Sequence, residues 1–374
     1  MNNCSNILAA SLTRAINRKD RPFITDKKIA GRVSTIALCP NNRAGVRLIL
    51  ACMLAKVDQP NVDPRKPYTK IGDKDCFSGR TYDEQAVGSL IAQHRLPCNS
   101  TTAFLTPTLR NMDQTLTTKV VLVGRPATLY VAALELLDDV HAKRISAQMV
   151  LDETLRLLII ERDSRALRLA SLVAALERPN AILPLSSEDI VTIIAQHLAC
   201  KNSSRLPVLI VAAAYETARD QLRERVLALT GHNAADEQTG AVGDVQITLL
   251  DDNEVITCFE MKDKTVERGD IDRALQKIAL QGQHVQNYLF ITTAPINDDI
   301  RLYAASKYDE TGGKEIAILS ALDFLRYFLH LFHRLRLAFL DQYQQLLLAE
   351  PESAVSQPVK ETFLVLRQAA ESAA

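Results

Sequence analysis

Asp244, Glu260 and Lys262 have the types and spacing to work together on a phosphodiester. Alternation along 254–262 (EVITCFEMK) puts Ile256, Cys258, Glu260 and Lys262 on one face of a strand. Val255, Thr257, Phe259 and Met261 fall on the other. The preceding run, 242–250 (VGDVQITLL), reads as a second strand, with Asp244 sharing a face with Gln246 and Thr248. A three-residue loop, Asp251-Asp252-Asn253, joins the two, and Asn253 suits the left-handed position such a loop needs. That loop pairs Leu250 with Glu254, and hence Asp244 with Glu260.

In this register two carboxylates and one ammonium converge. Like charges so close repel unless a cation sits between them. Two carboxylates with a backbone carbonyl make an oxygen-rich Mg²⁺ site. Such an ion polarises a scissile phosphate and lowers the pKa of a bound water. The lysine can orient or deprotonate that water, or stabilise charge building on the phosphate. The competing reading is a solvated strand end with a cross-strand ion pair, a common surface feature.

The elements around the hairpin follow from periodicity. Pro207 opens a helix expected to reach about Leu229 and to close at Gly231. After the hairpin come a helix at 270–281, a short buried strand at 288–293 (YLFITT) and another at 315–319 (EIAIL). A long Leu/Phe-rich helix is expected from Ser320 to about Ala349, then a loose tail with a short helix near 359–370. The stretch from about 120 to 200 is helical in pattern, as is 43–56. The stretch 57–81 carries too many Pro, Gly and Asp residues for regular structure and reads as an ordered loop.

The whole chain has 374 residues, 47% apolar and 24% charged, which is globular composition and excludes a disordered or low-complexity protein. Lys+Arg and Asp+Glu are 44 each, so any polyanion surface has to be a local patch. One such patch is residues 1–56, with ten basic and two acidic side chains. Another is the loop 63–82, with Arg65, Lys66, Lys70, Lys74 and Arg80. Its guanidinium and amide groups could meet base edges in a major groove, or could form ion pairs that pack the loop. Lys264, two residues beyond Lys262 on the same face, could touch a phosphate or stay solvated. Glu216 could support a second metal ion, or could be an exposed helix glutamate.

Seven widely spaced cysteines without a CxxC pair argue against a disulfide framework or zinc ribbon and point to reduced thiols in a cytoplasmic setting. The first twenty residues lack the continuous apolar stretch of a secretory signal, and no apolar run approaches a membrane span.

Asp244, then a hairpin, then Glu260-Met261-Lys262 resembles the PD-(D/E)xK nuclease signature, with Gly243 standing where proline often precedes the aspartate. The stretches DPRKPYTKIGDKDCFSGRTYDE, LPCNSTTAFLTPTLRN and SSRLPVLIVAAAYE resemble type II restriction endonucleases of the SacI-like family. That resemblance spans about residues 40–330. It implies an α+β fold: a PD-(D/E)xK core, which is a mixed sheet flanked by helices, with a large, mainly helical N-terminal region and a long C-terminal helix. The expected organisation is 1–200 for the helical region with DNA-contact loops, 201–320 for the nuclease core, and 321–374 for the C-terminal helix and tail. It further implies a site-specific, Mg²⁺-dependent endonuclease on double-stranded DNA. Asp244 and Glu260 would hold the ion, Lys262 would serve the water, and Arg80, Lys74 and Lys264 would contact DNA. A twofold homodimer would match a palindromic site, and a cognate DNA methyltransferase would be the genetic partner. The alternatives are a repair or recombination nuclease without sequence specificity, and a catalytically silent DNA-binding or scaffold protein.

Overall fold

The computed structural model of the chain describes residues 2–40, 43–110, 112–176, 184–229, 242–281 and 284–373. They fall into two compact units, Met1–Arg168 and Leu169–Ala374.

The first unit is helical. Its principal helices are α1 (Asn2–Asn17), α2 (Lys27–Ala37), α3 (Ala44–Asp58), α6 (Ala127–His141) and the N-terminal part of α7 (Ala147–Leu176). Between α3 and α6 lie α4 (Gly79–Tyr82) and α5 (Gly88–His94), joined by one π-helical stretch, Asp83–Val87. α3 is apolar on every side, with Val46, Leu48, Ile49, Leu50, Cys52, Met53 and Leu54 all buried, as befits a central helix. Inside it, buried Arg47 pairs with buried Asp83 at 2.9 Å and donates to the carbonyls of Asn99 and Ser100. Breaking one side of such a pair would leave a bare buried charge, so it locks α3 to the π stretch and the following loop.

The second unit is built on a five-stranded mixed sheet in the order β1-β2-β3-β4-β5. The strands are β1 (Glu224–Val226), β2 (Val245–Leu249), β3 (Val255–Lys262), β4 (Asn287–Thr292) and β5 (Glu315–Ser320). β1–β2 and β2–β3 are antiparallel, whereas β3–β4 and β4–β5 are parallel. Parallel neighbours need crossover connections, supplied here by α11 (Arg268–Gln281) and α12 (Asp298–Glu310). α12 is an element that the apolar pattern did not show: of its residues only Ala304 is buried.

Both sheet faces are covered, so β3 is buried on both sides. Cys258, Tyr288, Phe290, Ile316 and Ile318 pack with Ile271, Ala274, Ile278 and Ala304 on the face of α11 and α12. Val245, Ile247, Phe259 and Ile291 pack with Val208 and Val211 of α9 (Leu206–Thr217), which follows α8 (Ser187–Leu198), on the other. The arrangement is a mixed sheet with helices on both faces, compatible with an α+β nuclease-like fold.

Three expectations need correction. α9 stops at Thr217; a short helix, α10 (Arg219–Leu222), ends at Arg223 in the left-handed region (φ 57°), and the chain turns into β1. Gly231, expected to close that helix, lies outside the described residues. The single long C-terminal helix is two helices, α13 (Ala321–Leu331) and α14 (Arg336–Ala349). Phe332 leaves helical geometry (φ −108°, ψ 46°) between them. The break gathers Phe328, Phe332 and Phe339, with ring centroids 5.2 and 5.8 Å from that of Phe328. The tail is not loose: α15 (Gln357–Ala373) docks through buried Val359, Phe363 and Leu364.

Candidate active site

The hairpin holds the expected register where it matters. Val245 faces Phe259, Gln246 faces Cys258 and Ile247 faces Thr257, as expected, and Asp244 comes just before the paired residues, its carboxylate on the amide of Met261, the residue after Glu260. Nearer the turn an irregularity between Ile247 and Thr248 shifts the pairing to Thr248–Val255, so Leu250 and Glu254 are not a continuation of the same ladder.

Asp244 precedes β2 and substitutes for a strand acceptor: its Oδ2 takes the Met261 amide at 2.7 Å. Gly243 makes this approach possible. A Cβ there would lie 2.8 Å from the Phe259 carbonyl oxygen, closer than real side chains tolerate. The glycine in place of proline is therefore demanded by the close backbone contact.

Glu260 and Lys262 leave the carboxyl end of β3 side by side, with side chains 17% and 18% exposed, so both are open to a ligand. Lys262 Nζ donates to Glu260 Oε1 at 3.0 Å. Glu260 Oε2 lies 3.1 Å from the Tyr288 hydroxyl on β4 and 3.6 Å from Lys277 Nζ on α11. Asp270, in the first turn of α11, lies 3.5 Å from Lys262 Nζ and also holds Arg273. Its other oxygen accepts the Glu267 amide at 3.0 Å, closing the start of the helix. The mutual repulsion of carboxylates is thus offset by lysines and an arginine drawn from two elements.

Burial and electrostatics set protonation around the trio. Burial raises the Asp270 carboxyl, but the Glu267 amide, Lys262 and Arg273 more than offset it, and it sits below its ordinary value. Burial pushes the Cys258 thiol up to about 12, helped by Glu260, so it stays a neutral thiol beside the site. Burial likewise lifts Tyr288 far above the ordinary phenol range, with Glu260 adding to the effect. The hydroxyl remains a donor.

The site therefore combines anionic oxygen donors, ammonium groups and no ionised sulfur. Asp244 and Glu260 fit a hard divalent cation such as Mg²⁺ by donor chemistry. Asp270, Lys277 and Tyr288 escaped the sequence reading. Each lies on a neighbouring element, and only the parallel β3–β4 pairing and the packing of α11 bring them to Glu260 and Lys262.

The remaining candidates belong to other segments. Lys264 is exposed just past β3, its carbonyl taking the Thr292 hydroxyl at 3.1 Å. Glu216 is near the end of α9, the helix that covers the opposite sheet face. In the first unit, Lys74 is exposed, and Arg80 pairs with Glu84 at 2.8 Å. In the same loop Arg65 holds Asp63 and Asp138, and Lys66 holds Asp73 and Asp75. Of the ten basic side chains in residues 1–56, Arg14, Lys19, Arg32, Arg43 and Arg47 pair with carboxylates of that unit.

Residues 184–293 match the family model of the SacI restriction endonuclease C-terminal domain. The matched segment carries Asp244, Glu260, Lys262, Asp270, Lys277 and Tyr288. The match supports a restriction endonuclease domain, and with it a nuclease and hydrolase. No curated protein matches the chain. Among the described residues no helix is long and apolar enough to cross a membrane.

Proposed function

We propose that the chain is a type II site-specific restriction endonuclease of the PD-(D/E)xK kind, hydrolysing phosphodiester bonds of double-stranded DNA with Mg²⁺. The observation that carries this is the convergence of Asp244, Glu260 and Lys262 at the end of one hairpin, inside the segment that matches a restriction endonuclease domain. In this reading Asp244 and Glu260 hold the Mg²⁺ ion. When bound, it neutralises charge on the scissile phosphate and makes water a better nucleophile. Lys262 Nζ, steadied between Glu260 and Asp270, donates to the attacking water or to a phosphate oxygen and stabilises the charge that builds there. Asp270 and Tyr288 supply no atom to the reaction; they hold the groups that do.

Positive charge outside the trio would serve binding: exposed Lys264, just past β3, would meet a phosphate, and exposed Lys74 and Arg80 of the first unit would contact DNA. The enzyme would work in the cytoplasm as a homodimer, one site per strand, alongside a cognate DNA methyltransferase.

The test is incubation of the protein with phage DNA and Mg²⁺. Discrete bands that vanish in EDTA support the proposal. A smear points to the non-specific repair nuclease, and intact DNA to a silent DNA-binding protein.

A further inference from the structure

Tyr288 is 1% exposed, yet its hydroxyl reaches the edge of the site. The oxygen lies 3.1 Å from Glu260 Oε2 and 3.1 Å from the Val242 carbonyl. The phenolic hydroxyl thus lies within reach of two acceptors, one on β3 and one on the segment leading into β2. Val242 is two residues before Asp244, on the segment that Gly243 lets lie against β3. The ring itself is fixed. It sits on β4 beside Cys258 of β3 and packs on Phe290 with centroids 5.3 Å apart.

A glutamate's terminal torsion is soft, and its carboxylate turns readily unless one oxygen is anchored. Here Oε2 is held by a buried donor, and Oε1 is turned toward Lys262. We propose that Tyr288 is a positioning residue that ties the Asp244-bearing segment to Glu260 and fixes the orientation in which Glu260 meets a divalent cation and Lys262. This rests on the nuclease reading above. It adds a residue from a third strand, outside the hairpin that carries the acidic pair.

The test is Tyr288→Phe in the full-length protein, which keeps the ring and removes one oxygen. Mn²⁺ affinity is measured by calorimetry without DNA, and cleavage is followed against Mg²⁺ concentration. Partners that orient a metal ligand are worth roughly 10–100-fold in metal affinity, so Mn²⁺ binding should weaken by about that factor. The Mg²⁺ needed for half-maximal cleavage should rise in parallel, with a smaller loss of rate at saturation. Unchanged Mn²⁺ affinity and Mg²⁺ dependence, measured below the variant's melting midpoint, would overturn the assignment, whatever happens to the midpoint. As a second measurement, fluorotyrosine at position 288 should show a shifted ¹⁹F resonance on adding Mg²⁺; a fixed resonance counts equally against it. Wild-type protein that binds no Mn²⁺ and leaves DNA intact defeats the nuclease reading itself. Wild type that binds and cuts, with Tyr288→Phe indistinguishable from it, defeats only the role of Tyr288.

Discussion

The carboxylate of Asp270 lies 3.5 Å from the ammonium of Lys262, linking the first turn of α11 to the end of β3. Lys262 also donates to Glu260 at 3.0 Å, so one ammonium spans two carboxylates of different elements. An ammonium has three donors, enough to satisfy both and still address an oxygen of a substrate. Asp270 is 1% exposed on its side chain, which makes it a fixed counter-charge rather than a solvated one.

Asp270→Asn should therefore act on both activity and stability. It removes the counter-charge 3.5 Å from Lys262, and cleavage should fall by about tenfold, which corresponds to about 1.4 kcal/mol in the barrier. The acid limb of stability should change as well. The folded carboxyl lies below its ordinary value of 3.8, so its contribution is complete above pH 3.8 and is lost as pH falls through the lower folded value. Urea midpoints measured from neutral pH down to about pH 3 should drop more steeply for wild type than for the variant. Parallel curves would show that Asp270 is not held ionised by the fold.

Asp244→Ala, Glu260→Ala and Lys262→Ala should each lower cleavage by about a thousandfold or more, because each removes charge placed where the reaction develops it. The three side chains are half-buried and polar, so the free energy of unfolding should fall by no more than about 1–2 kcal/mol. Addition of EDTA should stop wild-type cleavage, and Ca²⁺ should support binding with little cutting. A variant that cuts near the wild-type rate would remove its residue from the mechanism.

The faces of β3 were legible because a strand has a period of two, which put Glu260 and Lys262 side by side, but the three-residue turn did not set the register: the pairing nearest it is Thr248–Val255, and Val245 regains the expected alignment with Phe259 only beyond the irregularity. The bulge near Thr248 was not legible, since no residue type announces it. α12 was hidden by its polarity, DDIRLYAASKYDE, although parallel β4 and β5 demand a crossover there. β1 is three residues long, too short for any alternation to show. The tail read as loose from its Ala, Ser and Glu content, whereas Val359, Phe363 and Leu364 form a helical stripe that the core takes up. Asp270, Lys277 and Tyr288 could not be read, because their relation to Glu260 and Lys262 is tertiary.

Gly243→Ala tests the close approach that sets Asp244. The new methyl would lie 2.8 Å from the Phe259 carbonyl oxygen, and a backbone atom in a central strand yields little. The strands must part, at a cost of about 1–3 kcal/mol. Cleavage should fall further than stability, since the same movement carries Asp244 away from the Met261 amide that it now accepts at 2.7 Å. An alanine variant with wild-type melting and wild-type rate would mean that β2 and β3 can separate there without harm.

Arg80→Ala separates recognition from folding. Arg80 is 55% exposed and pairs with Glu84, one helical turn on. Such exposed pairs contribute about 0.3–0.5 kcal/mol, so the variant should fold as wild type does. Any effect on DNA binding then reports contact rather than collapse of the loop. A bidentate arginine–guanine contact is worth about 1–3 kcal/mol, so affinity for the cognate duplex should drop roughly tenfold to a hundredfold while random DNA is little affected. A phosphate contact would instead weaken both duplexes alike and flatten the salt dependence by about one unit. Paired titrations in Ca²⁺, on cognate and scrambled duplexes at two salt concentrations, distinguish these outcomes. If wild type and Arg80→Ala bind both duplexes equally at both salts, Arg80 takes no part in recognition, and its pairing with Glu84 is the whole of its role.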